Sequence, residues 1–198
     1  MSKAAKTKQY IIEKTAPLFN TKGYAATSVS DITAITGLTK GSIYGNFNNK
    51  DEVVVEAFLY NVSIIKREIH AALNRGSNPK EALLNFVDFY RQYWEKLVAS
   101  GGCALLNAAT EADDHLLFLK ESVQYNFNLW IQRLTGVIEE GKKQGYFKQE
   151  VVSEEIASLF IMLIEGGILL SRSLGNKKHL DVALDQITQI IHIQLANK

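Results

Sequence analysis

A single cysteine in 198 residues excludes an internal disulfide framework, and it leaves no set of thiolates for a structural zinc. No apolar run approaches the roughly 20 residues that a membrane-spanning helix needs, so no membrane partner is expected. The basic start, Met1-Ser2-Lys3-Ala4-Ala5-Lys6, is not followed by an apolar segment with a small-residue cleavage site, and it does not read as a secretory signal. A reducing cytoplasm is the expected compartment. The four histidines, His70, His115, His179 and His192, are scattered, and there is no His-Glu-x-x-His pair, P-loop or dinucleotide fingerprint. No cofactor, metal site or catalytic constellation is therefore expected. Asp113, Asp114 and His115 suggest a metal only weakly and read better as a helix cap and first turn. Alternation of apolar and polar residues never persists, and no Asn-Gly or Asp-Gly joins two β-branched runs, so strands are not expected either.

What is present is a packed helical chain. At 46% apolar and 22% charged, the composition is that of a globular protein. The net charge of +1 conceals an asymmetry. Residues 1–50 hold seven lysines against two acids, Glu13 and Asp31, while the remainder is net acidic. A basic first quarter suits a polyanion, although a merely Lys-rich solvated surface would have the same charge.

Apolar residues recur at three and four along most of the chain. Ile12, Ala16 and Phe19 form the first stripe, which ends at Gly23. Thr27 or Ser28 caps a short helix, with Asp31 completing a capping box; Val29, Ile32 and Ile35 should face inward. Gly37 stops it, and Thr39 caps another short helix with Ile43 and Phe47 inside. Asn48 or Asn49 begins a long helix over about 50–75. Ser77-Asn78-Pro79 opens the next, Gly101-Gly102 ends it, and a short apolar helix runs from Cys103 to Ala112. Asp113-Asp114 leads into a long helix ending near Gly145. Ser153 caps a helix that is apolar nearly all round between Ile156 and Leu170, and a final helix carries Leu180, Leu184, Ile187, Ile191 and Leu195 on one stripe. The fold class expected is all-α, with about nine helices.

Function points to Thr27–Phe47. Two short helices joined through a glycine turn, the second rich in small polar residues, form a helix-turn-helix pattern. A helix that enters the major groove must be thin, and here the outward positions hold Lys40, Gly41, Ser42, Gly45 and Asn46. Hydroxyls and charge for phosphates are available from Thr27, Ser28, Tyr44 and Lys50.

These residues resemble the TetR/AcrR family of bacterial transcriptional regulators. The resemblance rests on Leu18-Phe19, Gly23-Tyr24, Thr27-Ser28-Val29, Asp31-Ile32, the run Gly37-Leu38-Thr39-Lys40-Gly41-Ser42-Ile43-Tyr44, Asn46-Phe47 and Asn49-Lys50. It implies an N-terminal three-helix DNA-binding domain over 1–50, running into the helix 50–75, and a C-terminal helical ligand-binding and dimerisation domain over 51–198. It also implies a homodimer on double-stranded DNA with a palindromic operator, and repression relieved by a small molecule. By the same resemblance Thr39, Lys40, Ser42 and Asn46 are groove-facing, while Tyr44, Lys50 and Thr27 contact phosphates. Gly45 departs from the larger residue many members carry, and Asn46 from a common His.

Further along, the dense aromatics read either as core or as the wall of a pocket for a largely apolar inducer. The candidate ligand contacts are Tyr90, Trp94, Cys103, Asn107, Glu111, Tyr125, Trp130 and Glu165. Cys103, near a helix start, is either packing or a thiol sensor of oxidants and electrophiles. Lys3, Lys6 and Lys8 read as a mobile tail. The last two helices read as the dimer interface. The rival readings are a thiol-sensing regulator, and a helical ligand-binding protein or enzyme without DNA function.

Overall fold

The first five helices each start where a side chain takes up an early N–H group, whereas Ser153 is the first residue of its helix and not the expected cap, and that helix has no side-chain cap. A computed structural model of the chain describes residues 2–114 and 116–197, without the side chain of Asp114. His115 lies outside the described residues, and with it the Asp113-Asp114-His115 cluster as a whole. Helix α1 (Lys3–Lys22) begins at Ser2, whose hydroxyl accepts from Ala5 N–H. Helix α2 (Val29–Thr36) starts with the expected capping box between Ser28 and Asp31. It stops at Gly37, whose φ of 68° is left-handed and favours glycine. Thr39 caps α3 (Lys40–Tyr44). Helix α4 (Lys50–Leu73) opens with Asn49 accepting from Glu52 N–H, while the Glu52 carboxylate accepts from Asn48 N–H. The same reciprocal arrangement of Ser77, Asn78 and Glu81 opens α5 (Pro79–Ala99). Then follow α6 (Ala104–Asp114), α7 (Leu117–Lys143), α8 (Ser153–Ser173) and α9 (Lys178–Gln189), which passes into a π turn, Ile190–Leu195.

Four further readings need correction. Lys8 does not lie in a loose tail: α1 reaches back to Lys3, and the Lys8 ammonium pairs with Glu52 and Glu56 at 3.2 and 2.9 Å. Ile35 is not inward but 47% exposed, because the two turns of α2 bury only the stripe Ile32 and Thr36. Asp113 and Asp114 end α6 rather than begin α7; Lys120, 3.2 Å away, offsets the acid at Asp113. Finally, α8 is long and apolar enough to cross a membrane by length and composition. Its Ala157, Phe160, Ile161, Ile164 and Ile168 are instead buried within the chain.

The chain divides into two compact units, Met1–Ile65 with Ser100–Asn126, and Lys66–Ala99 with Phe127–Lys198. The division falls inside α4 and inside α7. In the first unit Tyr24 is fully buried, stacked on Phe19 at 5.8 Å and edge-on to Phe58 at 6.3 Å. Ile11, Ile32, Ile43 and Phe47 complete this core. In the second unit α9 buries Leu180, Leu184 and Ile187, packing on α8 and α5. Arg91 of α5 holds Asp181 and Asp185 of α9 at 3.7 and 2.6 Å, and Ser171 of α8 accepts from Leu180 N–H.

The π turn allows Ala196 to pair with Phe147, the one β-bridge among the described residues. Lys148 N–H donates to the Leu195 carbonyl, and Asn197 N–H to that of Tyr146. The fully buried Phe147 ring lies against Gly141, where an added Cβ would come within 2.1 Å of it. Gly141→Ala is therefore expected to destabilise the fold by about 1–3 kcal/mol. Chemical denaturation of the two proteins checks this, with a midpoint lowered at unchanged slope as the expected outcome.

Candidate nucleic-acid interface

A recognition helix needs one face fixed to its own protein and the rest left clear. In α3 the fixed face is Ile43, continued by Phe47 just beyond the helix, both buried. Thr39, Lys40, Gly41 and Tyr44 are exposed, and Ser42 and Asn46 half-buried. A Cβ added to Gly41 would meet nothing nearer than the Thr39 hydroxyl at 3.9 Å. The fold therefore does not require glycine there, whereas a close approach by another molecule would favour it. The Lys40 ammonium lies 5.9 Å from the centre of the Tyr44 ring, one turn on, so charge and phenol sit together.

Not every expected contact is free for DNA. Thr27 is fully buried and its hydroxyl donates to the Gly23 carbonyl at 2.7 Å, so it supports the turn before α2 and is closed to a phosphate. The Asn46 amide donates back to the Ser42 carbonyl at 2.9 Å, leaving its oxygen as the free end. The Lys50 ammonium donates to the carbonyls of Thr27 and Ala25, at 3.0 and 3.4 Å. Ser28 stays exposed at the start of α2, where Asp31 takes both its N–H and its hydroxyl.

Asp31 also pairs with Lys22 of α1. The Lys22 ammonium first, then the Ser28 N–H and hydroxyl, hold its carboxyl well below the usual carboxylate range. Glu52 is held low in the same way, by Asn48 N–H and then by Lys8. Lys22, Asp31, Lys8 and Glu52 thus tie α1 to α2 and to α4, a set that the sequence reading missed. The capping spacing signals Asp31 and Glu52, but nothing local signals their lysine partners.

The candidate ligand contacts do not fall in one unit. Tyr90, Trp94, Trp130 and Glu165 belong to the second; Cys103, Asn107, Glu111 and Tyr125 belong to the first. Tyr90, Trp94 and Glu165 are buried, and the indole N–H of Trp130 is buried with no acceptor among the described residues. Tyr125 is exposed. Asn107 and Glu111 are not at liberty to line a pocket with their polar ends. Asn107 donates to Asn20 and to the Gly101 carbonyl, and Glu111 accepts the N–H groups of Tyr24 and Ala25. Cys103 is buried at the start of α6, whereas reactive thiols sit in partly exposed, electropositive surroundings.

A family model described as "Bacterial regulatory proteins, tetR family" matches residues 11–57, and one described as "Tetracyclin repressor-like, C-terminal domain" matches residues 79–187. The chain belongs to the TetR family. A TetR-family regulator from Cytophaga hutchinsonii is 37% identical, with a TM-score of 0.95 over 100% of this chain and 98% of its own. A TetR regulator from Chloroflexus aurantiacus J-10-FL is 31% identical, with a TM-score of 0.94 and full coverage of both chains. The HTH-type transcriptional repressor DhaR of Mycobacterium sp. (strain GP1) is 24% identical over 184 residues, 93% of this chain and 91% of DhaR. This TetR-family protein is accordingly a DNA-binding transcriptional regulator with a helix-turn-helix, and not an enzyme. Regulators of the family bind DNA and small-molecule ligands and are dimeric.

The depressed Asp31 carboxyl contributes to how the helix-turn-helix responds to acid. Its ionised form is favoured in the folded state, so its contribution is complete above the ordinary Asp value of about 3.9 and is lost as pH falls toward the lower folded value. Thermal midpoints of the wild type and of Asp31→Asn should differ at pH 7, with the wild type higher, and converge steadily below about pH 4.

Proposed function

We propose that this regulator is a homodimeric repressor acting in the cytoplasm, released from a palindromic operator by a small, largely apolar inducer. The observation that carries the DNA part is α3 itself, with Ile43 and Phe47 committed inward and Thr39, Lys40 and Ser42 left outward and small enough for a major groove. In this reading Thr39, Lys40, Ser42 and the oxygen of Asn46 face base edges. Tyr44 meets a phosphate, Ser28 is committed to Asp31 instead, and Gly41 lets the sugar-phosphate wall come close.

The dimer reading draws on α8 and α9. Met162, Leu169, Leu170 and Leu174 of the α8 region and Val182 of α9 are large, apolar and exposed. They lie away from the face that α8 and α9 share, where Gly167 approaches Leu180 and Ala183, and Gly166 beside them has open space. A self-complementary apolar face of this kind suits a twofold four-helix contact. For the inducer, Tyr90, Trp94, Trp130 and Glu165 supply aromatic surface, an indole N–H with no acceptor among the described residues, and a carboxylate. The burial of Cys103 favours inducer binding over thiol chemistry.

Selection of bound sequences from random duplex DNA tests the proposal, and an enriched inverted repeat is the expected outcome. An enriched single half-site with no repeat would remove the dimeric reader. On the selected operator, Lys40→Ala should lower affinity by about 1–3 kcal/mol and relax the sequence preference at the base pair that it faces. Replacing Met162 and Leu169 together by Glu should yield a monomer in analytical ultracentrifugation, still helical by circular dichroism, because a like-charged pair would then face its own copy.

A further inference from the structure

The turn between α1 and α2 is held from both sides. Its backbone would otherwise leave N–H and C=O groups unmatched where the chain passes from one helix to the next. Glu111 of α6 takes the N–H side: one carboxylate oxygen accepts from Tyr24 N–H at 2.9 Å and the other from Ala25 N–H at 2.7 Å. Lys50 at the start of α4 takes the C=O side, at Thr27 and Ala25. The peptide units from Tyr24 to Thr27 thus lie between a carboxylate and an ammonium, each oriented to the matching end of the peptide dipole. The two bonds to the Glu111 carboxylate are short, and charge-assisted bonds of this kind are roughly twice as strong as neutral ones, whereas the Lys50 contacts are longer, at 3.0 and 3.4 Å.

The reach of Glu111 is fixed by contacts further up α6. Asn107, one turn earlier on the same face, donates to the Asn20 side chain at 3.0 Å and to the Gly101 carbonyl at 2.9 Å. Asn20 in turn donates to the carbonyls of Ser100 and Gly102. Gly101 has a φ of 89°, and a Cβ there would come within 2.7 Å of the Asn20 carbonyl oxygen. Backbone therefore packs directly on backbone at the end of α1, leaving α6 little freedom to slide relative to it.

The clamped turn ends one residue before Ser28, the N-cap of α2. Its position therefore sets where α2 begins, and through Gly37 and Thr39 where α3 points. We infer that Glu111 is a positioning residue for DNA recognition, its bidentate grip on Tyr24 and Ala25 holding the helix-turn-helix in the orientation that binds the operator. The inference rests on the operator reading above. It makes a prediction of unexpected sign. Glu111 is an anion on the unit that binds a polyanion, so simple Coulomb repulsion says that neutralising it should tighten DNA binding. Positioning says the reverse.

The test uses the full chain, the selected operator and two substitutions. Glu111→Gln removes the charge and faces one of the two N–H groups with a donor. Glu111→Asp keeps the charge but withdraws the carboxylate by one methylene. Both are expected to weaken operator binding by about tenfold with an unchanged salt slope, because no phosphate contact is lost. Amide hydrogen exchange at Tyr24 and Ala25 should quicken in both, while the thermal midpoint falls by only a few degrees and the oligomeric state is unchanged. Should either variant fail to fold, the other carries the comparison. Tighter binding by Glu111→Gln with unaltered binding by Glu111→Asp would reduce Glu111 to a repulsive charge and overturn the inference. So would unchanged exchange at the two amides. A wild-type chain that enriches no DNA sequence would remove the operator reading, an outcome distinct from either of these.

Discussion

The fold of the DNA-binding unit depends on burying one phenol. Tyr24 sits in the turn between α1 and α2 with its ring stacked on Phe19 and edge-on to Phe58, in full burial that pushes its hydroxyl pKa upward. A turn residue fixed this deeply cannot move without opening the core. Everything that follows it in the chain inherits its position: the buried Thr27 hydroxyl on Gly23, the Ser28–Asp31 box, and the left-handed stop at Gly37. The polar clamp by Glu111 and Lys50 acts on the same few peptides. Apolar burial thus fixes the depth of the turn and charge fixes its rotation.

The second unit relies on a different constraint. Its helices are long and amphipathic, and the registers are set where elements meet through something other than apolar contact. Arg91 spans Asp181 and Asp185, and Ser171 accepts the N–H of Leu180 in the first turn of α9. Phe147 is closed in by residues at the far end of the π turn. Ser153 reaches across to Glu139 instead of capping its own helix, and with Lys142 it holds that carboxyl below its usual range.

Local chemistry was legible in the sequence and distant chemistry was not. The caps at Ser28, Thr39, Asn49 and Asn78, the stop at Gly37 and the extent of α8 follow from residues within four positions of one another. The spacing of Ile43 and Phe47 gives the inner face of α3 for the same reason. Glu111 could not be assigned this way: its partners lie 87 and 86 positions away and are backbone groups, which every residue possesses. Ile35 misled because a two-turn helix buries one stripe, and Thr36 took the place by returning its hydroxyl to the Ile32 carbonyl. Lys8 looked like a tail because its acids, Glu52 and Glu56, lie on another helix.

The brevity of α3 has a consequence for how much sequence it can distinguish. Five residues with one face turned inward leave three or so side chains for base edges, enough for roughly three or four base pairs. A genome presents on the order of a million competing positions or more, and singling out one of them takes the information in about ten base pairs. Two such helices together fall short of that. Further discrimination can be drawn from positions that no side chain touches, through the stiffness and groove width of the duplex. The DNA site of this regulator should therefore be constrained in composition beyond the bases that α3 can touch.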